Sequence, residues 1–298
     1  MVLRRALRQQ GSESLASNRA APSARSATAT IMVYFAARKN EDMASCKVMG
    51  IVNVTPDSFS DGGKFNSPEE AIRRARNLAA EGAAIIDVGG ESTRPGAVPI
   101  TWEEEWSRIE PVLRGLRSDS QSHGSSTFNF STFNFQLSVD TYHPETAERA
   151  VAVGATIVNC VYEEPVADMI RICEKGGAEL VVPAKWMDGP HSRGGGLPAE
   201  RMYIDPMVGF GTTREEDLEL LRAIPELAKR GRVLVGASRK RIVKRLTGEK
   251  VPGKDLAGNL AIAVWAALRG ASVVRVHDVR ETVQALKVVS ALAGGEQL

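Results

Sequence analysis

From residue 47 onward, short apolar runs alternate with stretches in which apolar residues recur at helical spacing. The first run is Val48-Met49-Gly50-Ile51-Val52, and seven similar runs follow it. Alternation of this kind is typical of βα units and a parallel sheet. The predicted strands are 48–53, 84–89, 136–140, 156–160, 179–183, 202–205, 232–237 and 272–277. Eight units of this length favour an α/β fold closed into a (β/α)8 TIM barrel over an open sheet.

Helix signals lie between the predicted strands. Ser67-Pro68-Glu69-Glu70 has the order of a capping box with proline at the first helical position, and Thr101 with Glu104 repeats the capping signal. Residues 185–201 include four glycines and two prolines, so we expect the barrel to lack a regular helix after strand five. The predicted helices are 68–81, 101–116, 144–153, 166–175, 214–230, 239–247, 254–269 and 279–293.

The first 46 residues differ from the rest in composition. Within 1–40 there are seven Lys or Arg against one Glu, so the remainder of a chain with net charge +2 is mildly acidic. An arm rich in Ala, Ser and Arg resembles an organellar transit peptide. The alternatives are a disordered extension and a gene model that starts too early, with the true start at Met32, Met43 or Met49. We therefore expect a disordered or targeting extension at 1–46 and a barrel at 47–298. The protein would be cytoplasmic, or mitochondrial if the arm is a transit peptide.

Composition excludes several classes of protein. A hydrophobic content of 43% with 25% charged residues is that of a globular domain. No apolar run approaches the ~18–20 residues that span a bilayer, and the acidic body gives no nucleic-acid footprint. The three cysteines have no CxxC spacing, which fits a reducing compartment and neither a disulfide framework nor a zinc site. We expect no membrane or nucleic-acid partner.

A long polar loop follows the first predicted strand. Its sequence at 53–63 is Asn-Val-Thr-Pro-Asp-Ser-Phe-Ser-Asp-Gly-Gly, in which Phe59 is the one aromatic residue. A strand that ends in a polar loop with one aromatic is typical of an active-site lid, and an ordinary surface loop is the alternative.

Polar residues collect where the predicted strands end. In a barrel, these ends and their loops form the active-site face. The strand-end residues are Asn53, Asp87, Asp140, Asn159, Asp205, Ser238-Arg239-Lys240 and Arg275-Val276-His277-Asp278, with Glu91-Ser92-Thr93-Arg94-Pro95-Gly96 just after strand two. Asp87 and Asp278 have the simpler interpretation of structural residues.

The strand-end residues divide by charge. Asp140, Asn159 and Asp205 can bind a flat nitrogen heterocycle with adjacent N–H and amino groups. Arg94, Arg275 and His277, with Thr93 and Asn53 alongside, suit phosphate or pyrophosphate. Lys240 begins a helix, where an anion is also favoured. No hydrolase triad, Walker motif or GxGxxG pattern is present. One site is therefore predicted to hold a heterocycle, a polyphosphate and a second anion.

Five segments together resemble the dihydropteroate synthase family. They are Met-Gly-Ile-Val-Asn-Val-Thr-Pro-Asp-Ser-Phe-Ser-Asp-Gly-Gly (49–63), Asp-Val-Gly-Gly-Glu-Ser-Thr-Arg-Pro-Gly (87–96), Ser-Val-Asp-Thr (138–141), Ser-Arg-Lys (238–240) and Arg-Val-His-Asp (275–278). The resemblance runs from about residue 47 to 293. It implies a homodimeric folate-synthesis enzyme that joins 6-hydroxymethyl-7,8-dihydropterin pyrophosphate to 4-aminobenzoate.

The resemblance also implies roles for individual residues. The residues it assigns to substrate binding are Thr93, Arg94, Pro95, Asp140, Asn159, Asp205, Phe210, Lys240, Arg275 and His277. Among these, Asp140, Asn159, Asp205 and Lys240 would hold the pterin. Catalysis would involve Phe59, Asp61, Arg94 and Lys240. Asn53 would serve Mg²⁺.

The segments after strands four, five and six depart from the family pattern. Cys160 follows Asn159 where the family has Asp, Pro183-Ala184-Lys185 stands where a Met-His pair is usual, and Met207 replaces the glycine of Asp-Pro-Gly. Two alternatives therefore remain beside the synthase. One is a non-catalytic relative that binds a pterin or phosphate, and the other is a pterin-dependent methyltransferase, which would not need the two loops or the pyrophosphate cations.

Overall fold

Eight parallel strands form a closed barrel in chain order. The computed structural model describes residues 46–55, 67–92, 96–120, 135–189, 196–249, 251 and 253–293, without the side chains of 118–120. Each strand pairs with the next, and the last pairs with the first. The strands are β1 Lys47–Asn53, β2 Ile85–Gly89, β3 Gln136–Asp140, β4 Ile157–Asn159, β5 Glu179–Pro183, β6 Met202–Asp205, β7 Arg232–Val235 and β8 Ala271–Val276. The predicted TIM barrel is confirmed.

Helices connect the strands. They are α1 Pro68–Ala80, α2 Trp102–Ser120, α3 Pro144–Ala152, α4 Val166–Gly176, α5 Arg214–Arg222, α6 Ile224–Ala228, α7 Arg241–Thr247, α8 Leu256–Leu268 and α9 Val279–Leu292. The described part of the β5–β6 connection has two short 3₁₀ turns, Trp186–Asp188 and Ala199–Arg201, and no α-helix. No helix in the described ranges is long and apolar enough to cross a membrane.

Two local predictions about the helices are wrong. Ser67 makes no side-chain capping bond to α1, and Glu70 instead pairs with Arg73 at 2.8 Å. The helix predicted at 214–230 is divided into α5 and α6. Pro225 explains the division, because it lacks the N–H that a continuous helix would need there. Thr213 and Glu216 form a reciprocal capping box at the start of α5.

The barrel interior is a single apolar layer between two polar ends. Since alternate residues of a strand share a face, one inward side chain fixes the direction of the others. The inner layer consists of Met49, Ile85, Ile157, Val181, Tyr203, Leu234 and Val273. A second apolar layer lies between the sheet and the helices, where Leu78, Ile109 and Met169 are completely buried.

A polar cluster closes the end of the barrel where the strands begin. We call it the basal network, and it consists of Lys47, Gln136, Glu179, Tyr203 and Arg232. Lys47 donates to Gln136 (2.9 Å), while Arg232 donates to a Glu179 carboxylate oxygen (2.7 Å) and to the Tyr203 hydroxyl (3.0 Å). The Arg232 guanidinium also lies 3.9 Å from the centre of the Tyr203 ring.

Candidate active site

At the opposite end of the barrel, a buried carboxylate on β2 binds side chains from three other strands. Asp87 lies two residues beyond Ile85 and is completely buried. It accepts hydrogen bonds from Ser138 Oγ (2.6 Å), Asn159 Nδ2 (3.1 Å) and Arg275 Nε (2.6 Å). We call these residues, together with Asp140, the mouth network.

Arg275 bridges two carboxylates in the mouth network. Its Nη2 donates to Asp140 Oδ2 at 2.5 Å, while its Nε is bound to Asp87. Burial opposes the charge of Arg275, but Asp140 and Asp87 outweigh it and raise the guanidinium pKa. Burial also raises the pKa of Asp140 to about 7, although Arg275 acts in the opposite direction. The site therefore holds a fixed cation beside a carboxyl group that titrates near neutrality.

Asn159 has one side-chain atom without a hydrogen-bond partner among the described residues at the mouth of the barrel. Its Nδ2 is bound to Asp87, and its Oδ1 is buried with no hydrogen-bond partner among the described residues. An unpaired buried oxygen costs about 1–3 kcal/mol. The arrangement can accept a hydrogen bond from a ligand that enters the barrel mouth.

A second group joins the loops after β6 and β7. Asp205 is buried and accepts the backbone N–H of Met207 at 2.7 Å. Lys240 Nζ donates to the Val208 carbonyl oxygen (2.7 Å) and lies 4.2 Å from the centre of the Phe210 ring. Burial raises the pKa of Asp205 and lowers the pKa of Lys240 to about 8, and each charge partly offsets the shift of the other.

Two glycines allow Lys240 to approach the mouth network. A Cβ at Gly209, whose φ is +82°, would lie 2.8 Å from Lys240 Cδ. A Cβ at Gly236 would lie 3.8 Å from Arg275 and 4.0 Å from Lys240 Nζ. Gly236 therefore lies between the two cations at distances that leave room for a Cβ, whereas the strained φ and the close approach at Gly209 require a residue without a side chain.

His277 and Asn53 lie at the margins of this site. Ser238 Oγ is 3.1 Å from His277 Nδ1, and Arg74 donates to the His277 backbone oxygen at 3.0 Å. Asn53 is partly buried at the end of β1, on the same face of the strand as Met49. Its amide oxygen belongs to the hard class of ligand that Mg²⁺ accepts. Within the described ranges, no group of three His, Cys, Asp or Glu could hold a metal.

The structure brings together most of the predicted residues that it describes. Asn159 and Arg275 meet through Asp87, and Arg275 in turn binds Asp140. Asp205, Phe210 and Lys240 lie in the adjoining group. The predicted residues Phe59, Asp61, Thr93, Arg94 and Pro95 lie outside the described residues.

Asp87 and Asp278 both make contacts within the fold, as their structural interpretation predicts, but Asp278 does not cap a helix. Asp87 connects Asn159 with Arg275. In the sequence, this role is indicated by a single charged residue in an apolar strand, two positions after Ile85 and therefore on the same inward face. Asp278 makes no side-chain capping bond to α9 and instead accepts from Arg239 Nη2 at 2.7 Å.

The departures at Cys160 and Met207 have distinct structural settings. The Cys160 side chain is buried in the outer apolar layer, on the opposite face of the chain from Asn159. Met207 has φ +65°, a conformation that glycine adopts without steric cost. The first substitution therefore lies outside the barrel interior, and the second places strain beside Asp205.

Comparison with known proteins identifies the family. The model of the pterin binding enzyme family matches residues 49–192 and 190–277. Dihydropteroate synthase of Escherichia coli K12 is 34% identical over 291 residues, covering 89% of this chain and 98% of that protein.

Solved structures agree with this assignment. The Xanthomonas albilineans dihydropteroate synthase with 4-aminobenzoic acid is 37% identical, with a TM-score of 0.74 and coverage of 84% of this chain and 94% of that chain. The same organism's enzyme in complex with 7,8-dihydropteroate is 34% identical, with a TM-score of 0.72 and the same coverage. The chain belongs to the dihydropteroate synthase family of pterin binding enzymes.

Proposed function

We propose that this protein is a transferase that condenses 6-hydroxymethyl-7,8-dihydropterin pyrophosphate with 4-aminobenzoate, giving 7,8-dihydropteroate and pyrophosphate. The observation that carries the proposal is the buried polar mouth of the barrel, where Asn159 Oδ1 lacks a partner among the described residues. The relatives named dihydropteroate synthase, including one bound to 4-aminobenzoic acid and one to 7,8-dihydropteroate, support the same reaction.

The pterin would lie at the floor of the mouth. A pterin has adjacent N–H and amino donors on one edge and carbonyl and ring-nitrogen acceptors elsewhere. Asp140, Asn159 and Asp205 offer acceptors, and Lys240 offers a cationic donor. Because these groups are buried, a ligand that failed to pair them would lose about 1–3 kcal/mol for each unsatisfied group. We infer that this requirement selects the pterin.

The pyrophosphate would meet Thr93, Arg94, His277 and the cationic edge of Arg275. Arg275 has a second task in this proposal, because it also neutralises Asp87 and Asp140. A multiply charged leaving group would not approach two uncompensated carboxylates without cost. The guanidinium thus separates the pterin-binding carboxylates from the phosphate side of the site.

Asn53 would serve Mg²⁺ beside the leaving group. Magnesium usually keeps several waters and takes one or two protein oxygens together with substrate phosphates, so a single amide oxygen fits this mode of binding. When bound, the ion would neutralise charge on the pyrophosphate.

The second substrate would enter from the loop side of the pterin. We propose that Phe59, Asp61 and Pro95 shape the 4-aminobenzoate pocket, while Phe210 and Lys240 lie at its inner wall. Lys240 lies 4.2 Å from the Phe210 ring, which supports an aromatic surface beside a cation that can face the carboxylate of the arylamine.

The chemistry would be dissociative. The bond between the pterin methylene carbon and the pyrophosphate oxygen breaks, and the electron pair leaves with pyrophosphate. The arylamine nitrogen then forms the new carbon–nitrogen bond and releases one proton. The cations stabilise charge that develops on the leaving group, and the buried mouth orients the pterin, so positioning and electrostatics carry the reaction.

One assay tests the proposal and its alternatives. The purified full chain is incubated with Mg²⁺, the pterin pyrophosphate and 4-aminobenzoate, and 7,8-dihydropteroate is measured. We expect product from the wild type, and a severe loss of turnover with retained pterin binding in Arg94→Ala. Binding without pyrophosphate release would favour the non-catalytic relative. Methyl transfer from a methylated pterin without dihydropteroate would favour the methyltransferase.

Assembly and location complete the proposal. We infer a homodimer, supported by the exposed Trp265, Val288 and Leu292 on the adjoining helices α8 and α9. We also propose that 1–46 is an extension outside the barrel 47–298. Bacterial relatives support a cytoplasmic enzyme, and the alternative is mitochondrial import through 1–46. Light scattering tests the dimer, and a fluorescent fusion of 1–46 tests the location.

A further inference from the structure

A buried carboxylate just beyond β2 has no part in the reaction described above. Glu91 is two residues past the end of β2, and its side chain is 7% exposed. Tyr142 donates its hydroxyl to Glu91 Oε1 at 2.7 Å, and His143 Nε2 lies 3.2 Å from Oε2. Burying a carboxylate is costly unless several groups bind it. Glu91 therefore has the partners of a fixed structural element.

The same side chain also reaches the far end of its own loop. The backbone N–H of Ile100 donates to Glu91 Oε1 at 3.4 Å. Glu91 thus joins the two ends of segment 91–100, which contains Thr93 and Arg94. We call Glu91, Ile100, Tyr142 and His143 the Glu91 clamp.

The clamp is tied to the strands that would hold the pterin. Tyr142 and His143 are two and three residues after Asp140, and the centres of their rings lie 4.2 Å apart. Tyr142 also packs edge-on against Tyr162 at 4.8 Å, and Cys160, next to Asn159, donates its thiol to the Tyr162 carbonyl oxygen at 3.3 Å. The ends of β3 and β4 are thereby linked to the loop after β2.

The protonation of Tyr142 fits this arrangement. Burial, together with the bond to Glu91, raises the pKa of Tyr142 above its ordinary value. The phenol therefore keeps its proton at neutral pH and remains a donor to the carboxylate.

We propose that Glu91 is a positioning residue, whose clamp holds Glu91 and Ile100, which flank Thr93 and Arg94 in the chain, against the ends of β3 and β4. This inference rests on the proposed function for the role of Arg94. A misplacement of about 1 Å in such a group can cost about a hundredfold in rate. Glu91 acts through the segment that it holds and does not touch the substrate.

Three variants and one control test the clamp. Glu91→Ala removes all three contacts, and we expect kcat to fall about a hundredfold. Tyr142→Phe removes the 2.7 Å bond alone and should lower kcat about tenfold. Glu91→Gln retains an Oε1 acceptor for Tyr142 and Ile100, so its kcat should stay within threefold of the wild type. The control is Glu164→Ala, which removes a carboxylate beside Tyr142 and Tyr162 but outside the clamp.

The readouts separate positioning from general damage. We expect KM for the pterin pyrophosphate to change less than threefold, because the interactions lost act on the leaving group in the transition state. Amide hydrogen exchange at Ile100 should rise at least tenfold in Glu91→Ala and stay at the wild-type value in Glu164→Ala. This second readout needs no turnover, so it remains valid if the wild type proves to have no synthase activity.

Several results would overturn the inference. A Glu91→Ala enzyme with wild-type kcat would do so, as would Glu91→Gln and Tyr142→Phe variants as impaired as Glu91→Ala. Unchanged exchange at Ile100 would show that Glu91 does not hold the segment. Loss of pterin affinity in proportion to kcat would assign Glu91 to the pterin floor instead.

Discussion

The two ends of the barrel are built from the same strand positions but serve different purposes. Lys47, Glu179 and Arg232 lie two residues before the inner apolar layer, while Asp87, Asn159 and Arg275 lie two residues after it. At the base, the charges of Glu179 and Arg232 are paired with each other, although Arg232 Nη2 is buried without a hydrogen-bond partner among the described residues. At the mouth, Asn159 Oδ1 has no partner among the described residues, and burial shifts the pKa of Asp140 and Lys240 toward neutrality. One end is suited to stability and the other to binding.

Backbone strain follows the same division. Met207, at φ +65°, and Arg239, at φ +59°, are the non-glycine residues with positive φ in the described part of the chain. Both lie in loops that follow strands at the mouth, after β6 and β7. Strain of this kind persists where the surrounding structure enforces it, and it is enriched at functional sites. The strained backbone therefore lowers the stability of the mouth, and the described part of the base has no such strain.

Removal of Arg275 should produce the largest effect on both stability and turnover. Arg275→Ala leaves Asp87 and Asp140 without their cation, and loss of one partner from a buried pair costs about 3–5 kcal/mol. We expect the free energy of unfolding to fall by about that amount and kcat/KM to fall about a thousandfold, since a cation at the leaving group is also lost. Urea denaturation and steady-state kinetics measure the two effects.

Arg275→Lys is the matched control, because it keeps the charge but loses the two-pronged geometry. It should recover part of the stability and less of the turnover. An Arg275→Ala enzyme that folds and turns over normally would remove the distinction between the two ends.

The equivalent change at the base should separate stability from activity. Arg232→Met leaves Glu179 without its cation, but Tyr203 still donates to Glu179 and the Arg232 and Glu179 side chains are partly exposed, at 30% and 21%, so we expect a loss of only about 1–2 kcal/mol. kcat should remain within twofold of the wild type, because the apolar layer lies between Arg232 and the mouth. The double variant Glu179→Gln/Arg232→Met should recover part of the stability. A tenfold fall in kcat would contradict the separation of the two ends.

The sequence predicts more of this architecture than of its contacts. Strand positions follow from apolar runs bounded by polar strand ends, and the structure agrees with them within two residues. Their carboxyl ends correctly bring Asp140, Asn159 and Arg275 to one mouth. The hydrogen-bond partners of these residues could not be predicted from the sequence, because Arg275 and Asp87 are 188 positions apart. That bond depends on closure of β8 against β1 and on the register between β1 and β2, which no local pattern encodes.

Capping signals in the sequence failed where an arginine side chain pairs with the carboxylate. Asp278 has the sequence position of an N-cap but accepts a hydrogen bond from Arg239. Glu70 has the position of a capping-box residue but pairs with Arg73. In each case an arginine side chain pairs with the carboxylate, which then makes no capping bond to a backbone N–H.

Pterin affinity should depend on pH through the mouth alone. Asp140 titrates near pH 7 and loses its negative charge below that value, while Lys240 titrates near pH 8 and loses its positive charge above it. We expect affinity for the pterin pyrophosphate to be greatest between these values and to fall by up to about tenfold per pH unit on either side. Isothermal titration calorimetry from pH 5.5 to 9.5 measures the two limbs.

Single variants show which residue causes the acid limb and which causes the alkaline limb of the affinity profile. Lys240→Gln should bind weakly throughout and lose the alkaline limb, and Asp140→Asn should lose the acid limb. Arg232→Met, at the base, should keep both limbs. A profile that is flat from pH 6 to 9 in the wild type would contradict the titration of either group in binding.

The smallest effect is expected at Met207, where the mouth departs from the family pattern. Met207→Gly replaces a side chain held at φ +65° by a residue that adopts this conformation freely. Release of about 1–2 kcal/mol of strain is opposed by the greater entropy of the unfolded glycine chain, so we expect a net gain in stability of about 0.5–1 kcal/mol.

Met207→Ala is the control, since it removes the same side-chain atoms beyond Cβ but keeps the strain. If the gain comes from strain, only the glycine variant should raise Tm, while pterin affinity stays within twofold because Asp205 still accepts the backbone N–H of residue 207. Equal Tm values for the two variants would assign the effect to the lost side chain, and strain would then no longer distinguish this end of the barrel from the base.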